Sequence, residues 1–131
     1  MKQLVLTCAI FAILFTSCEK EPGEGGTSSI SGKLYVLDYN STLTHLNETY
    51  YGSKEDVYIV YGDNTVYNNS METSFDGSYR FDNLRKGHYR IFAYSKDTTA
   101  TIPGGVFAVI KEVDITSNKQ TINLDDLVVV K

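Results

Sequence analysis

The side chains with most to offer a ligand are aromatic: the chain holds ten tyrosines and no tryptophan. Tyr39, Tyr50 and Tyr51 fall together with His45 in one polar stretch, residues 39–55. A tyrosine presents a flat apolar ring with a hydroxyl at its tip, which suits stacking on a sugar or anchoring a protein contact. Tyr58 alternates with Val57 and Ile59, and Tyr94 with Ala93, which puts both on outer strand faces. Tyrosine also favours strands in its own right, so its abundance alone does not make a binding surface.

Catalytic chemistry has fewer candidates. His45 and His88 are the two histidines. His88 alternates with Tyr89 and shares an outward face with Arg90 and Phe92. Without a second histidine or cysteine at ligand spacing it reads as a surface residue and not a metal ligand. No nucleophile elbow, Ser-His-Asp set or phosphate loop is present in the sequence. Turn and strand-end positions account for Asp76, Asp82, Asp125 and Asp126. Asp38 and Asn40 would need oxygens from a neighbouring loop to hold calcium, and EF-hand spacing is lacking. The expectation is a non-enzymatic protein with no catalytic residues, no cofactor and no metal site. A formal charge of −4 without a basic patch argues against nucleic acid as a partner.

The elements that must position these residues are strands. Residues 73–95 read as three short alternating runs separated by Asp76-Gly77 and by the corner at Arg85, Lys86 and Gly87. Asp-Gly between alternating runs is a hairpin signal. A first strand covers 30–38, with Ile30, Leu34 and Val36 on one face and Lys33, Tyr35 and Leu37 on the other. Residues 39–55 show no period and read as a long loop, the kind of segment that often carries function. Further runs follow at 56–61, 65–75, 78–83, 88–95, 106–115 and 120–130, with Asn68, Asn69 and Ser70 marking a bulge or edge in the third. A second long loop spans 96–105. About seven short strands with regular turns, and no amphipathic helix, predict an all-β antiparallel sandwich over residues 30–131.

Ahead of this domain, Lys2 precedes an apolar run over residues 4–15. That run is short of the roughly 20 residues of a membrane span and has the size of a signal-peptide core. The sequence Phe15-Thr16-Ser17-Cys18 resembles the lipobox of bacterial lipoproteins. The resemblance implies that residues 1–17 are a signal peptide and that Cys18 is lipidated as the new N-terminus, making the membrane a partner through the lipid anchor. An ordinary secretory signal is the alternative. Cys8 would leave with the signal, so the folded part holds no disulfide. Residues 18–29, rich in Gly, Glu and Ser, read as the lipidated cysteine and a flexible tether. An acidic, glycine-containing segment at this place is similar to the export signal of surface-exposed lipoproteins of Bacteroidetes. It implies an outer-membrane lipoprotein, with outward and periplasm-facing display both open.

Within the domain, Ile30-Ser-Gly-Lys-Leu-Tyr-Val, Asp56-Val-Tyr-Ile-Val and Thr73-Ser-Phe-Asp-Gly-Ser-Tyr-Arg-Phe-Asp-Asn-Leu-Arg-Lys-Gly-His-Tyr-Arg-Ile carry a resemblance. They resemble the carboxypeptidase regulatory-like domain, a transthyretin-like (prealbumin-like) Greek-key sandwich related to Cna B-type repeats. Such repeats often hold a lysine-to-asparagine isopeptide bond, which would here join Lys33 and Asn123, although alternation with Leu34 turns Lys33 outward. The transthyretin-like hydrolase motif Tyr-Arg-Gly-Ser is absent from the C-terminal run Leu127-Val-Val-Val-Lys131. Asp97-Thr98-Thr99 resembles the O-glycosylation acceptor of Bacteroidetes and implies modification of Thr98. Together these features predict a lipid-anchored cell-envelope module with a structural or protein-interaction role. The alternative is glycan binding by Tyr39, His45, Tyr50 and Tyr51.

Overall fold

Period-two alternation of apolar side chains draws most of the chain into strands. The computed structural model describes residues 20–99, 101–102 and 105–131, so the expected signal peptide and Cys18 lie outside the described residues. Nine strands are present among them: β1 Glu24–Tyr39, β2 Leu46–Tyr51, β3 Asp56–Tyr61, β4 Asn69–Glu72, β5 Ser78–Leu84, β6 Gly87–Lys96, β7 Val106–Ile115, β8 Thr121–Asn123 and β9 Leu127–Val130. They form the expected all-β sandwich, with nine strands where about seven were expected.

The first sheet is built on β1. Its even-numbered residues bond β5 and then β2, the change of partner falling at Leu34, whose N–H donates to Gly77 O and whose carbonyl accepts from Gly52 N. Its odd-numbered residues bond β8 and then β9, both parallel to it, whereas every other ladder is antiparallel. The second sheet has the order β4-β3-β6-β7. Between the sheets lie Ile30, Leu34 and Val36 of β1, Val57 and Ile59 of β3, Ile91 and Ala93 of β6, and Leu127 and Val129 of β9, all buried. Each such aliphatic side chain larger than alanine contributes about 1.5–3 kcal/mol on burial, before the entropy of ordering the chain is counted.

Three expectations are corrected. Residues 39–55 are not a long loop but the end of a β-hairpin. Asn40 builds the turn: its Oδ1 accepts from the N–H groups of Thr44 and His45 at 2.9 and 3.1 Å. The chain then returns as β2, all six of whose residues are exposed, so no apolar face announced it.

The expected tether over 18–29 does not reach Ser29: β1 already begins at Glu24. Ser28 and Ser29 are buried; Ser28 Oγ donates to Ser117 O at 2.9 Å and accepts from Gln120 N at 3.1 Å. A Cβ on Gly26 would lie 2.1 Å from Leu84 O. The small residues here permit close backbone approach and do not provide slack.

The turns at Asp76-Gly77 and at residues 85–87 do not close hairpins. β4 and β6 belong to one sheet and β5 to the other, so both corners carry the chain across the sandwich. The first is held by the Asp76 carboxylate, which accepts from Ser78 N and Ser78 Oγ at 3.1 and 2.6 Å, and by Gly77 at φ 79°. Hydrogen bonds from the Ser78 hydroxyl and then from its N–H keep the Asp76 carboxyl below its ordinary range.

The chain is locked to the fold from Glu21 onward. Arg85 Nε donates to Glu21 O at 2.8 Å, Arg85 N to Gly23 O at 2.8 Å, and Gly23 N to Tyr89 Oη at 2.8 Å. Pro22 lies against Gly87 so closely that a Cβ there would come within 2.3 Å of Pro22 Cγ. On the outer face of the first sheet, Lys33 Nζ stands 4.8 Å from the centre of the Tyr51 ring, while Asn123 Oδ1 accepts from Ser31 Oγ at 3.4 Å. Lys33 therefore points away from the interior, as its alternation requires.

Candidate functional site

The outer face of the second sheet is aromatic where a water-facing sheet is ordinarily polar. β3 turns Tyr58 and Val60 outward, and β6 turns Arg90, Phe92 and Tyr94 outward. Tyr58 and Phe92 are direct cross-strand partners. Their rings stack at 4.9 Å with 15° between planes. Tyr94 stands edge-on to both, at 5.5 Å from each. A fourth ring comes from the connection after β3: Tyr67 packs on Tyr58 at 4.8 Å with a 60° tilt. Pairs of this kind contribute about 0.5–1.5 kcal/mol beyond their buried area, so the cluster is a preformed surface.

The connection that brings Tyr67 there is itself pinned. Asn68 Oδ1 accepts from Tyr61 N at 2.8 Å and from Asn64 Nδ2 at 3.1 Å, and Asn68 N donates to Ile59 O at 2.8 Å. From the sheet, the Arg90 guanidinium donates to the carbonyls of Gly62 and Asn64. The result is a groove of about 370 Å³. Its floor is Val60, Phe92, Tyr94 and, on β7, Ala108 and Ile110; its wall is Thr65, Val66 and Tyr67. Val66 is 66% exposed and Tyr67, Tyr94 and Ile110 are about half exposed, so the groove opens to water with rings on two sides.

Burial first, and then the nearby charge of Asp56, raise the Tyr58 hydroxyl above its ordinary range, so it is neutral at physiological pH. The residues lining the groove include no carboxylate and no histidine. Rings, hydroxyls and one guanidinium offer this surface stacking and hydrogen bonding.

The residues singled out from the sequence are placed elsewhere and apart. Tyr39 ends β1 half-buried, and His45 is exposed at the end of the hairpin turn. Tyr50 and Tyr51 are successive on β2 and so face opposite ways, Tyr50 paired with Val36 and Tyr51 with Tyr35. Tyr51 belongs to a small outer-face cluster: its ring meets Tyr35 edge-on at 5.2 Å, and its hydroxyl donates to Asp126 Oδ2 at 3.0 Å. That hydrogen bond, followed by the charge of Asp126, raises the Tyr51 hydroxyl above its ordinary range. The four residues do not converge on one site.

Thr98 is exposed in the loop after β6. Its neighbour Asp97 organises that loop, accepting from Thr99 N and Oγ1 at 2.8 and 2.6 Å, Thr101 N at 2.8 Å and Ile102 N at 2.9 Å. These bonds, led by the Thr99 hydroxyl, hold its carboxyl well below the usual carboxylate range. His88 Nδ1 lies 2.7 Å from Asp114 Oδ1, a surface pair. Among the described residues no group of three or more His, Cys, Asp or Glu side chains is placed to hold a metal.

Alternation placed Tyr58, Arg90, Phe92 and Tyr94 on outer faces but did not gather them into one site, and Tyr67 was not singled out at all. The available signal was the run Arg90-Ile-Phe-Ala-Tyr94, in which the face opposite Ile91 and Ala93 is itself largely aromatic.

No family model and no curated protein matches the chain. Among solved structures it is similar to a Pseudomonas aeruginosa protein described as "a putative carbohydrate binding protein". The identity is 16%, the match covers 88% of this chain and 93% of that one, and the TM-score is 0.47.

Proposed function

We propose that this chain is a non-enzymatic, lipid-anchored module of the cell envelope that binds carbohydrate in the aromatic groove over β3, β6 and β7. The observation that carries the reading is the convergence of Tyr58, Tyr67, Phe92 and Tyr94 beside an open groove whose remaining lining is apolar or neutral apart from Arg90. The C–H face of a pyranose stacks on such rings, while the hydroxyls of Tyr67, Tyr94 and Thr65 offer hydrogen bonds at the rim. The volume is near the lower end of the roughly 300–1,000 Å³ of small-ligand sites, which suits a short segment of a glycan. The anchor rests on Cys18 and the apolar run before it.

A glycan array probed with the purified protein tests the binding reading. Hits that vanish on Tyr67→Ala support it; an empty array, or hits indifferent to Tyr67→Ala and Phe92→Ala, overturns it. Cys18→Ala tests the anchor by moving the protein from the membrane fraction to the soluble one.

A second reading, a protein-interaction role, draws on the way exposed Val106 and Ile110 continue the apolar surface to the edge of β7. β7 is the last strand in the order of its sheet among the described residues, and a partner could add a strand there. Proline substitution at a β7 position whose N–H faces outward from the sheet would abolish such a contact and leave glycan binding intact.

A further inference from the structure

We infer that one end of the sandwich, formed by Glu21 and Pro22, residues 61–64 and residues 85–87, rests directly on the lipid headgroup layer. The inference depends on the acylation of Cys18 proposed above and follows from chain length. Glu21 is already fixed to the fold through Arg85 Nε, and Pro22 and Gly23 through Gly87, Arg85 and Tyr89. Only Glu19 and Lys20 separate Cys18 from Glu21. Three Cα-to-Cα steps of about 3.8 Å span at most roughly 11 Å. A twelve-residue flexible spacer would have allowed about 20 Å and free reorientation. The acyl chains hold the cysteine at the headgroup level, so the end of the domain that carries Glu21 has no room to leave it.

The strand directions then orient the whole molecule. β1 starts at this end, where Glu24 and Ser28 both lie opposite Leu84, and from Ser28 it carries Tyr39 roughly 35 Å along the strand at about 3.3 Å per residue. β3 arrives at this end at Tyr61 and β6 leaves it at Gly87, so the strands under the aromatic groove stand with one end toward the membrane and the other away from it. The groove therefore opens sideways, with the loop that carries Tyr67 rooted close to the lipid. The hairpin turn at His45 and the loop at Thr98 lie at the opposite, distal end. The side chains at the membrane end are of mixed sign: Lys20, Arg85 and Lys86 beside Glu21 and Asp63. Contact there is set by the short tether and not by charge.

The test uses acylated full-length protein in liposomes carrying an acceptor dye on the headgroups. A donor is placed on a single introduced cysteine, at exposed Lys86 (Lys86→Cys) or exposed Glu48 (Glu48→Cys). Energy transfer is expected to be strong from position 86 and weak from position 48. A Gly-Ser insert of about fifteen residues between Lys20 and Glu21, roughly 20 Å in r.m.s. span, should bring the two positions together. Equal transfer from both positions without the insert, in protein whose acylation is verified by mass, overturns the orientation and leaves the anchor standing. An unacylated mass, or flotation with liposomes that persists in Cys18→Ala, overturns the anchor and the orientation with it.

Discussion

Two buried tyrosines differ in one respect that a single atom can test. Tyr89 and Tyr79 are both within 2% of full burial. The Tyr89 hydroxyl accepts from Gly23 N at 2.8 Å and donates to Arg85 O at 2.7 Å, whereas Tyr79 Oη has no hydrogen-bond partner among the described residues. Tyr89→Phe leaves a buried N–H and a part-buried carbonyl without their partner, and an orphaned buried group costs about 1–3 kcal/mol. Allowing for partial relaxation, the loss should be about 2–4 kcal/mol. Tyr79→Phe removes a hydroxyl that gains nothing from the fold and should leave stability unchanged or raise it by up to about 1 kcal/mol. For a domain of this size about 4 °C per kcal/mol then separates the two variants by roughly 10 °C or more in Tm. Urea unfolding followed by far-UV circular dichroism reads the difference without needing a tryptophan. Equal losses in the two variants, or a Tyr89→Phe loss below about 1 kcal/mol, would refute the assignment of Tyr89 as the latch on the N-terminal segment.

Other substitutions follow from the same geometry. Gly77→Ala places a Cβ 2.8 Å from Tyr51 Cβ and 2.9 Å from Leu34 O at φ 79°, and should cost about 2–3 kcal/mol in a denaturant titration. Tyr67→Ala should weaken glycan binding about five- to tenfold in a calorimetric titration while Tyr51→Ala leaves it unchanged. Burial raises the Tyr79 hydroxyl above its ordinary 10.0, so stability is unaffected by its titration below pH 10 and falls as pH rises beyond it, where the phenol ionises in the unfolded chain but not in the fold. Tyr79→Phe should flatten the alkaline limb of the stability profile. Asp97 is shifted the other way, so its contribution is held above pH 3.8 and lost as pH falls below it. Asp97→Ala should open the loop to proteolysis near Thr98 and flatten the acid limb.

What could be read in the chain beforehand was whatever had one buried face. β3, β6 and β7 were legible because Val57 and Ile59, or Ile91 and Ala93, recur at every second residue and must be hidden together. β2 was illegible because an exposed edge strand owes its place to the backbone of β1 and leaves no apolar period in Leu46-Asn-Glu-Thr-Tyr-Tyr51. Glycine and serine between Glu24 and Ser29 have the composition of a linker, and composition cannot distinguish glycine kept for freedom from glycine kept because Leu84 O stands where a Cβ would be. Asp76-Gly77 announced a tight turn correctly. Which sheet the next strand joins is decided by residues far along the chain, so the hairpin reading failed there. The groove was half legible. Tyr58 and Tyr94 faced outward as alternation required, but Tyr67, expected in a strand over 65–75, sits in the connection ahead of β4, whose course is set by Asn68 and Arg90.

The pairing of β1 with β8 and β9 also governs when the molecule can finish folding. Ser29 meets Thr121, and Leu37 meets Val130, so one whole edge of the first strand has partners only in the last dozen residues. Closing loops of that length before any contact rewards them is slow, in the millisecond-to-second range typical of sandwiches. Until Leu127–Val130 is delivered, β1 presents open N–H and carbonyl groups beside its own apolar face, a state prone to pairing with a neighbouring chain. A chain shortened before Leu127 would remain in that state, and the strand made first would be left waiting for a partner that never arrives.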